Sequence, residues 1–376
     1  LNILQLSYEY PPIGGGGSRV AYGLSRELAE RGHQVHVVTM RYGGAPLRET
    51  VDGVAVHRIP CIRRSKFHCT VPEAGLYLAR ARPVLLELTG RVEFDVLHAH
   101  FLLPGGINAR WIARRTGLPY VLTAHGSDVP GYNPHRLRLA HLVSAPLWHG
   151  VTRDAALIVC PSRSIEELVH ARNARLPTTI IPYGFETGRY RLDRPRAAKI
   201  LAVSRLLKRK GVQDLLAAVT DTPLPFEVHV VGDGPYLETL RRQAEGSATP
   251  VIFHGWLDNR SSELTTLFET SQIFVLPSSA ENFPVSLMEA MAAGLAVVTS
   301  RGTGCAEVVG DAGVLVSPGR PAELRDVLQK LAANPAEIDA LGGRARRRLE
   351  RDLSWASIAD RHEALYREQL SNGAAT

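Results

Sequence analysis

Ile3-Leu4-Gln5-Leu6-Ser7 is a short apolar run, and Tyr10-Pro11-Pro12-Ile13-Gly14-Gly15-Gly16-Gly17-Ser18 follows it. A helical pattern then spans about Ser18 to Arg31, with Val20, Leu24 and Leu28 on one face. Gly32 stops that pattern, and Val35-His36-Val37-Val38-Thr39 is the next strand. Strand, glycine turn, helix, strand is a βαβ unit. Its strands are therefore parallel, and its loops gather at one edge of the sheet.

The same alternation continues outward. Strands are expected at Val54-Ala55-Val56, Asp95-Val96-Leu97-His98, Tyr120-Val121-Leu122-Thr123 and Leu157-Ile158-Val159, with helices near 73–89, 106–116, 136–150 and 163–170. Pro177 to Arg196 is rich in arginine and interrupted by proline, and it reads as a linker. A second series opens at Lys199-Ile200-Leu201-Ala202-Val203. Its further strands lie near 226–231, 251–253, 273–276, 296–298 and 313–316, and its helices near 211–219, 235–243, 261–270, 284–293 and 320–332. The reading is an α/β protein of two Rossmann-like domains facing across a cleft: 1–190, 191–354, and a C-terminal helix over 355–376 that packs back on the first domain.

Bulk properties narrow the function classes. The 376 residues suit two domains, and 45% hydrophobic with 22% charged residues describes a folded chain. No apolar stretch approaches a spanning helix and no signal-peptide layout opens the chain, so a cytoplasmic setting is expected. Cys61, Cys69, Cys160 and Cys305 show no zinc-site spacing. The net charge is +7, but five of the 44 basic residues are lysine and the arginines are scattered. The densest clusters, Arg63-Arg64-Ser65-Lys66 and Arg344-Ala345-Arg346-Arg347-Arg348, lack interleaved aromatics. Nucleic acid is thus not an expected partner; these clusters read as solvated, and a basic face could rest on anionic lipid at the inner surface of a membrane.

Three groups of residues carry chemistry. Gly14 to Gly17 lie where glycine lets backbone N–H groups approach a phosphate. The second strand ends Val37-Val38-Thr39-Met40-Arg41 without the carboxylate that a nicotinamide enzyme places there, which disfavours a dehydrogenase. Arg205, Lys208, Arg209 and Lys210 follow a strand, where an arginine fork and a lysine can neutralise a diphosphate. Glu281-Asn282-Phe283-Pro284-Val285-Ser286-Leu287-Met288-Glu289 runs from a strand end into a helix. Pro284 suits its first turn, and a phosphate seat between two carboxylates suits a nucleotide sugar. His98 and His100 share a strand face, but no third metal ligand is evident and there is no Asp-x-Asp motif, so no metal is expected. His125, in Thr123-Ala124-His125-Gly126-Ser127-Asp128, reads as a site histidine.

These motifs, in this order and over nearly the whole chain, resemble the retaining glycosyltransferases of family four, which have the GT-B fold. The markers include Val231-Gly232-Asp233-Gly234-Pro235 as well as the groups above. The resemblance implies a catalytic set of Glu281, His125, Arg205 and Lys210, and no cofactor. The donor, a UDP- or GDP-linked sugar, would be held by Arg205, Lys210, Leu257, Glu281, Phe283, Val285, Ser286 and Glu289, with Gly15, Gly16 and Gly17 closing from the first domain. His125 and Asp128 would face a glycan or lipid-linked acceptor. The expected activity is metal-independent hexosyl transfer in polysaccharide, glycolipid or other glycoconjugate synthesis. Two positions depart from the family: Ser204 stands for glycine and Tyr183 for asparagine. An epimerase-like enzyme using the same donor, or a non-catalytic nucleotide-sugar-binding protein, remains the alternative.

Overall fold

A computed structural model of the chain describes residues 1–132 and 134–373. The chain divides into two compact units, Leu1–Gly184 with Trp355–Thr376, and Phe185–Ser354.

The first unit is built on β1 (Asn2–Leu6), α1 (Gly16–Glu30), β2 (Gln34–Met40), β3 (Arg48–Val51), β4 (Val54–Ile59), α2 (Val71–Arg91), β5 (Val96–His100), α3 (Gly105–Thr116), β6 (Tyr120–Thr123), α4 (Pro134–Arg153), β7 (Leu157–Cys160), α5 (Arg163–His170) and β8 (Thr178–Ile180). Strand order is β3-β4-β2-β1-β5-β6-β7-β8, parallel throughout except β3, which is antiparallel to β4. Strand residues alternate between two cores. Leu4, Leu97, Leu122 and Ile158 meet Tyr77, Leu85, Ile112 and Trp148 of α2, α3 and α4. Ile3, Val37, Val96 and Val121 meet Leu24 and Leu28 of α1, together with Ile358 and Tyr366. The latter two belong to the last helix, Trp355–Gly373, which therefore packs on the first unit. Trp355 lies against Gly23 and Gly184, where any Cβ would overlap its indole.

The second unit holds β9 (Lys199–Val203), α6 (Val212–Val219), β10 (Glu227–Val231), α7 (Leu237–Ala244), β11 (Val251–Gly255), α8 (Ser262–Thr270), β12 (Ile273–Leu276), α9 (Val285–Ala292), β13 (Ala296–Ser300), α10 (Gly304–Val309), β14 (Val314–Val316), α11 (Pro321–Ala332) and α12 (Pro335–Asp352). The last helix of the first unit is accordingly α13. The six strands run β11-β10-β9-β12-β13-β14 and are all parallel. The order reverses between β9 and β12, and in the first unit between β1 and β5. Ligands of parallel sheets bind beyond the carboxyl ends at such reversals.

Several expectations are corrected. The stretch 177–196 is not wholly a linker: β8 pairs with β7, and the units divide at Gly184/Phe185. Helix α12 was not anticipated, because its arginine run and paired glycines resemble a loop; Gly342 lets it lie directly on the Gly294 carbonyl. The basic clusters are partly structural. Arg63 is buried beside Glu9, and Arg348 donates to the Val308 and Glu307 carbonyls at 2.9 and 3.0 Å. Arg346 is likewise bonded to the carbonyls of Thr187 and Ala292.

Candidate active site

In the second unit the chain leaves β9 through Ser204 and Arg205, and a 3-10 turn over Lys208–Lys210 brings it to α6. Gly211 takes a left-handed conformation (φ 78°) and lies so close to the Pro277 carbonyl that a Cβ would overlap it. This draws the basic loop against the end of β12. Lys210 Nζ donates to Glu281 Oε1, and both side chains are largely buried. The two loops at the sheet's reversal point are thus joined by an ion pair between residues separated by 71 positions. Arg205 is exposed, with no ion pair among the described residues.

Pro284 is the N-cap of α9, not part of its first turn as expected. It offers no side-chain cap, so the N–H groups of Val285 and Ser286 head the helix without an acceptor among the described residues. Phe283 is buried beneath them. The loop is held from below by Gly304, whose N–H donates to the Glu281 carbonyl at 3.0 Å and whose missing side chain makes room for the Asn282 carbonyl. Glu289, buried, accepts from Arg189 Nη1 at 2.9 Å, and Arg189 Nη2 donates to the Asn259 carbonyl. Arg189 was not foreseen; an arginine in a 3-10 turn (Thr187–Arg189), 100 residues away in sequence, carries no local signal. Leu257 is half-buried just past β11, next to the exposed Trp256. Ser204 keeps a buried hydroxyl with no hydrogen-bond partner among the described residues.

In the first unit the glycine loop meets the ends of β1 and β5. The three glycines differ. A Cβ on Gly15 would press on Glu9, and on Gly17 it would overlap the Phe101 ring. At Gly16 nothing lies within 4 Å. Of the three, Gly16 alone has open space where a Cβ would stand.

The His125 ring is tilted against Phe101 (centroids 4.3 Å) and stacked on Tyr183 (5.6 Å). Its Nδ1 meets the Tyr183 hydroxyl at 3.1 Å, and its Nε2 meets His100 Nδ1 at 3.4 Å. Both ring nitrogens thus face protein groups, and a hydroxyl ligand would compete with the longer contact. Burial pushes the His125 pKa down to about 3, so the ring is neutral at physiological pH. Asp128 accepts from the N–H groups of His125 and Leu102 at 2.9 and 2.7 Å, fixing the loop. Burial raises its pKa to about 6 against those hydrogen bonds. Tyr183 belongs to this unit and is not a linker residue.

Both ring nitrogens of His98 are engaged: Nδ1 meets the Tyr366 hydroxyl at 2.6 Å and Nε2 the Thr123 hydroxyl at 2.7 Å. Among the described residues no group of three His, Cys, Asp or Glu side chains is placed to hold a metal ion.

Two parallel α/β units, each with polar groups at the sheet reversal, have the two-Rossmann architecture of the GT-B fold. Residues 14–189 match the family model described as Glycosyltransferase Family 4, and residues 197–334 match Glycosyl transferases group 1. The N-acetyl-alpha-D-glucosaminyl L-malate synthase of Bacillus anthracis is 27% identical over 96% of each chain. Among solved structures, sucrose-phosphate synthase from Thermosynechococcus elongatus covers 99% of each chain at 21% identity with a TM-score of 0.77. Anabaena Alr3699/HepE in complex with UDP covers 98% of this chain and 100% of its own at 18% identity, with a TM-score of 0.73. The chain belongs to the family-four glycosyltransferases.

Proposed function

We propose that the enzyme transfers a hexose from a UDP- or GDP-linked sugar to a hydroxyl of a glycan or lipid-linked acceptor, with retention at the anomeric carbon and without a metal. The observation that carries this reading is the Lys210–Glu281 pair at the reversal of the second sheet, with the open first turn of α9 beside it. The likeness to a fold neighbour solved with UDP supports a nucleotide donor.

Cleavage of the sugar–phosphate bond builds negative charge on the departing diphosphate. Lys210, Arg205 and the N–H groups of Val285 and Ser286 stabilise that charge as it grows. Lys210 and Glu281 hold each other in place through their ion pair. The diphosphate then takes over Lys210, and Glu281 is freed to orient the hydroxyls of the sugar. Glu289 receives the ribose, with Arg189 holding its carboxylate; Leu257 presents backbone to the base. The open face at Gly16 receives phosphate oxygens. His125, neutral and locked by Tyr183 and Asp128, acts as a hydrogen-bonding wall toward the acceptor and not as a cation.

Release of free nucleoside diphosphate from UDP- and GDP-hexoses, with and without glycan and lipid-linked acceptors and with chelator present, tests the reading. Acceptor-dependent release and an α-linked product from an α-linked donor are expected. Release that ignores the acceptor, or loss of activity in chelator, would contradict it.

A further inference from the structure

Helix α4 presents an apolar face to solvent. Leu139, Leu142, Val143 and Leu147 are 73, 70, 74 and 52% exposed. Their spacing of three, four and eight positions from the first places them in one stripe, and the exposed Pro146 lies within it. The opposite face is already used: Trp148 and Val151 are buried in the first unit's core. A stripe of four large apolar side chains, all more than half exposed, is beyond the scattered leucines normal on a surface.

The surrounding charge says what the stripe meets. From 134 to 153 the helix has no Asp or Glu; at 100° per residue Arg138 and His149 fall along one border of the stripe, and Arg153 lies in line with it beyond Leu147. Arg110, Arg114 and Arg153 share the single carboxylate of Asp154, at 2.8, 2.7 and 3.0 Å, leaving net positive charge at the end of the helix. A second patch repeats the pattern. The segment from β4 to α2 exposes Ile62, Phe67 and Val71 among Arg64, Lys66 and His68. It leaves the carboxyl end of β4, and α4 follows the carboxyl end of β6; these strands are parallel through β2, β1 and β5. Both patches therefore belong to the same edge of one sheet. A second copy of the chain would set cationic border against cationic border, whereas an anionic lipid surface offers headgroups to the arginines and acyl chains to the leucines.

We propose that α4, with the 60–71 segment at the same edge, docks the first unit on an anionic bilayer. Such a helix lies in the interface plane with its apolar face below the headgroups. The docking is independent of the donor and its site.

The test is flotation of the whole chain with vesicles of phosphatidylcholine alone, or mixed in equal parts with phosphatidylglycerol. The protein is expected to float with the mixed vesicles, to stay behind with phosphatidylcholine, and to be released by high salt. Leu142→Glu with Leu147→Glu should lower the bound fraction by about tenfold or more, at unchanged melting temperature, because both positions are exposed. Nucleoside diphosphate binding, measured on the same samples, should be equal in the two proteins. A wild-type chain that ignores the mixed vesicles, or a double variant that floats as well as wild type, overturns the proposal. So does a dimer in size-exclusion chromatography that the double variant converts to monomer, since the stripe would then belong to a second copy.

Discussion

Lys210 and Glu281 hold each other with side chains 16% and 10% exposed. Removing one leaves the other mostly buried without its partner. Lys210→Ala should therefore cost about 1–3 kcal/mol of stability, and the double replacement with Glu281→Ala less than the sum of the two single losses. Turnover should not recover with stability: each variant, and the double, should lose at least about 100-fold. Near-normal turnover in a folded Glu281→Ala protein would remove that carboxylate from the catalytic set. The glycines separate packing from binding in the same way. Gly17→Ala forces a methyl into the Phe101 ring and should lower the melting temperature, while Gly16→Ala meets open space and should leave it unchanged. If Gly16 receives phosphate, its alanine variant should still lose donor affinity. Equal behaviour of the two variants in both measurements would argue against the assignment.

At the scale of elements, the loop from β12 to α9 is positioned by its neighbours. Gly304 opens α10 directly beneath it, and a methyl there would overlap the Asn282 carbonyl. Gly304→Ala should displace residues 281–283 and reduce turnover by about tenfold or more, although the altered residue lies on a different helix. Unchanged kinetics would mean that the loop is held from elsewhere. The pattern of apolar runs was enough to read most of the strands and helices, because buried parallel strands such as β12 and β13 are continuous apolar segments bounded by turns. It failed where packing between elements decides. Thr178–Ile180 becomes a strand because β7 offers an edge, and α12 tolerates Gly342-Gly343 because the first of them buys close approach to Gly294. The two carboxylates and the basic loop were visible in the sequence, each at the end of a strand. The partners were not: Arg189 on Glu289, and Tyr183 on the loop histidine His125, join positions 100 and 58 residues apart.

At the scale of the whole molecule, the first unit buries His98, His100 and His362 completely or nearly so, with the His125 ring enclosed beside them. Burial lowers all four: His125 to about 3, His362 to about 4, and the other two well below their usual range. The folded state therefore binds fewer protons than the unfolded chain below pH about 6.5, so stability must fall on acidification through that window. His125 and His362 each account for about 2 kcal/mol between pH 7 and 5. Asp128, raised to about 6, acts in the opposite sense, because the folded state holds its proton longer than the unfolded chain. It offsets only about 1 kcal/mol over the same interval. Thermal unfolding followed from pH 7 to 5 should show a clear net loss; a flat profile would mean the histidines are better solvated than their surroundings imply.

On the proposed reading, the second unit binds a nucleoside diphosphate through Lys210 and Glu289 without a metal. The most direct test of this is the melting temperature of the chain against UDP, GDP and ADP, free and sugar-linked, in the presence of chelator. A ligand that binds only the folded state adds about 2.7 kcal/mol at roughly 100 times its dissociation constant. UDP or GDP and its sugar should raise the melting temperature of the wild-type chain, and Lys210→Ala or Glu289→Ala should abolish the rise. A wild-type chain that none of these ligands stabilises, or variants that respond as wild type does, would contradict it.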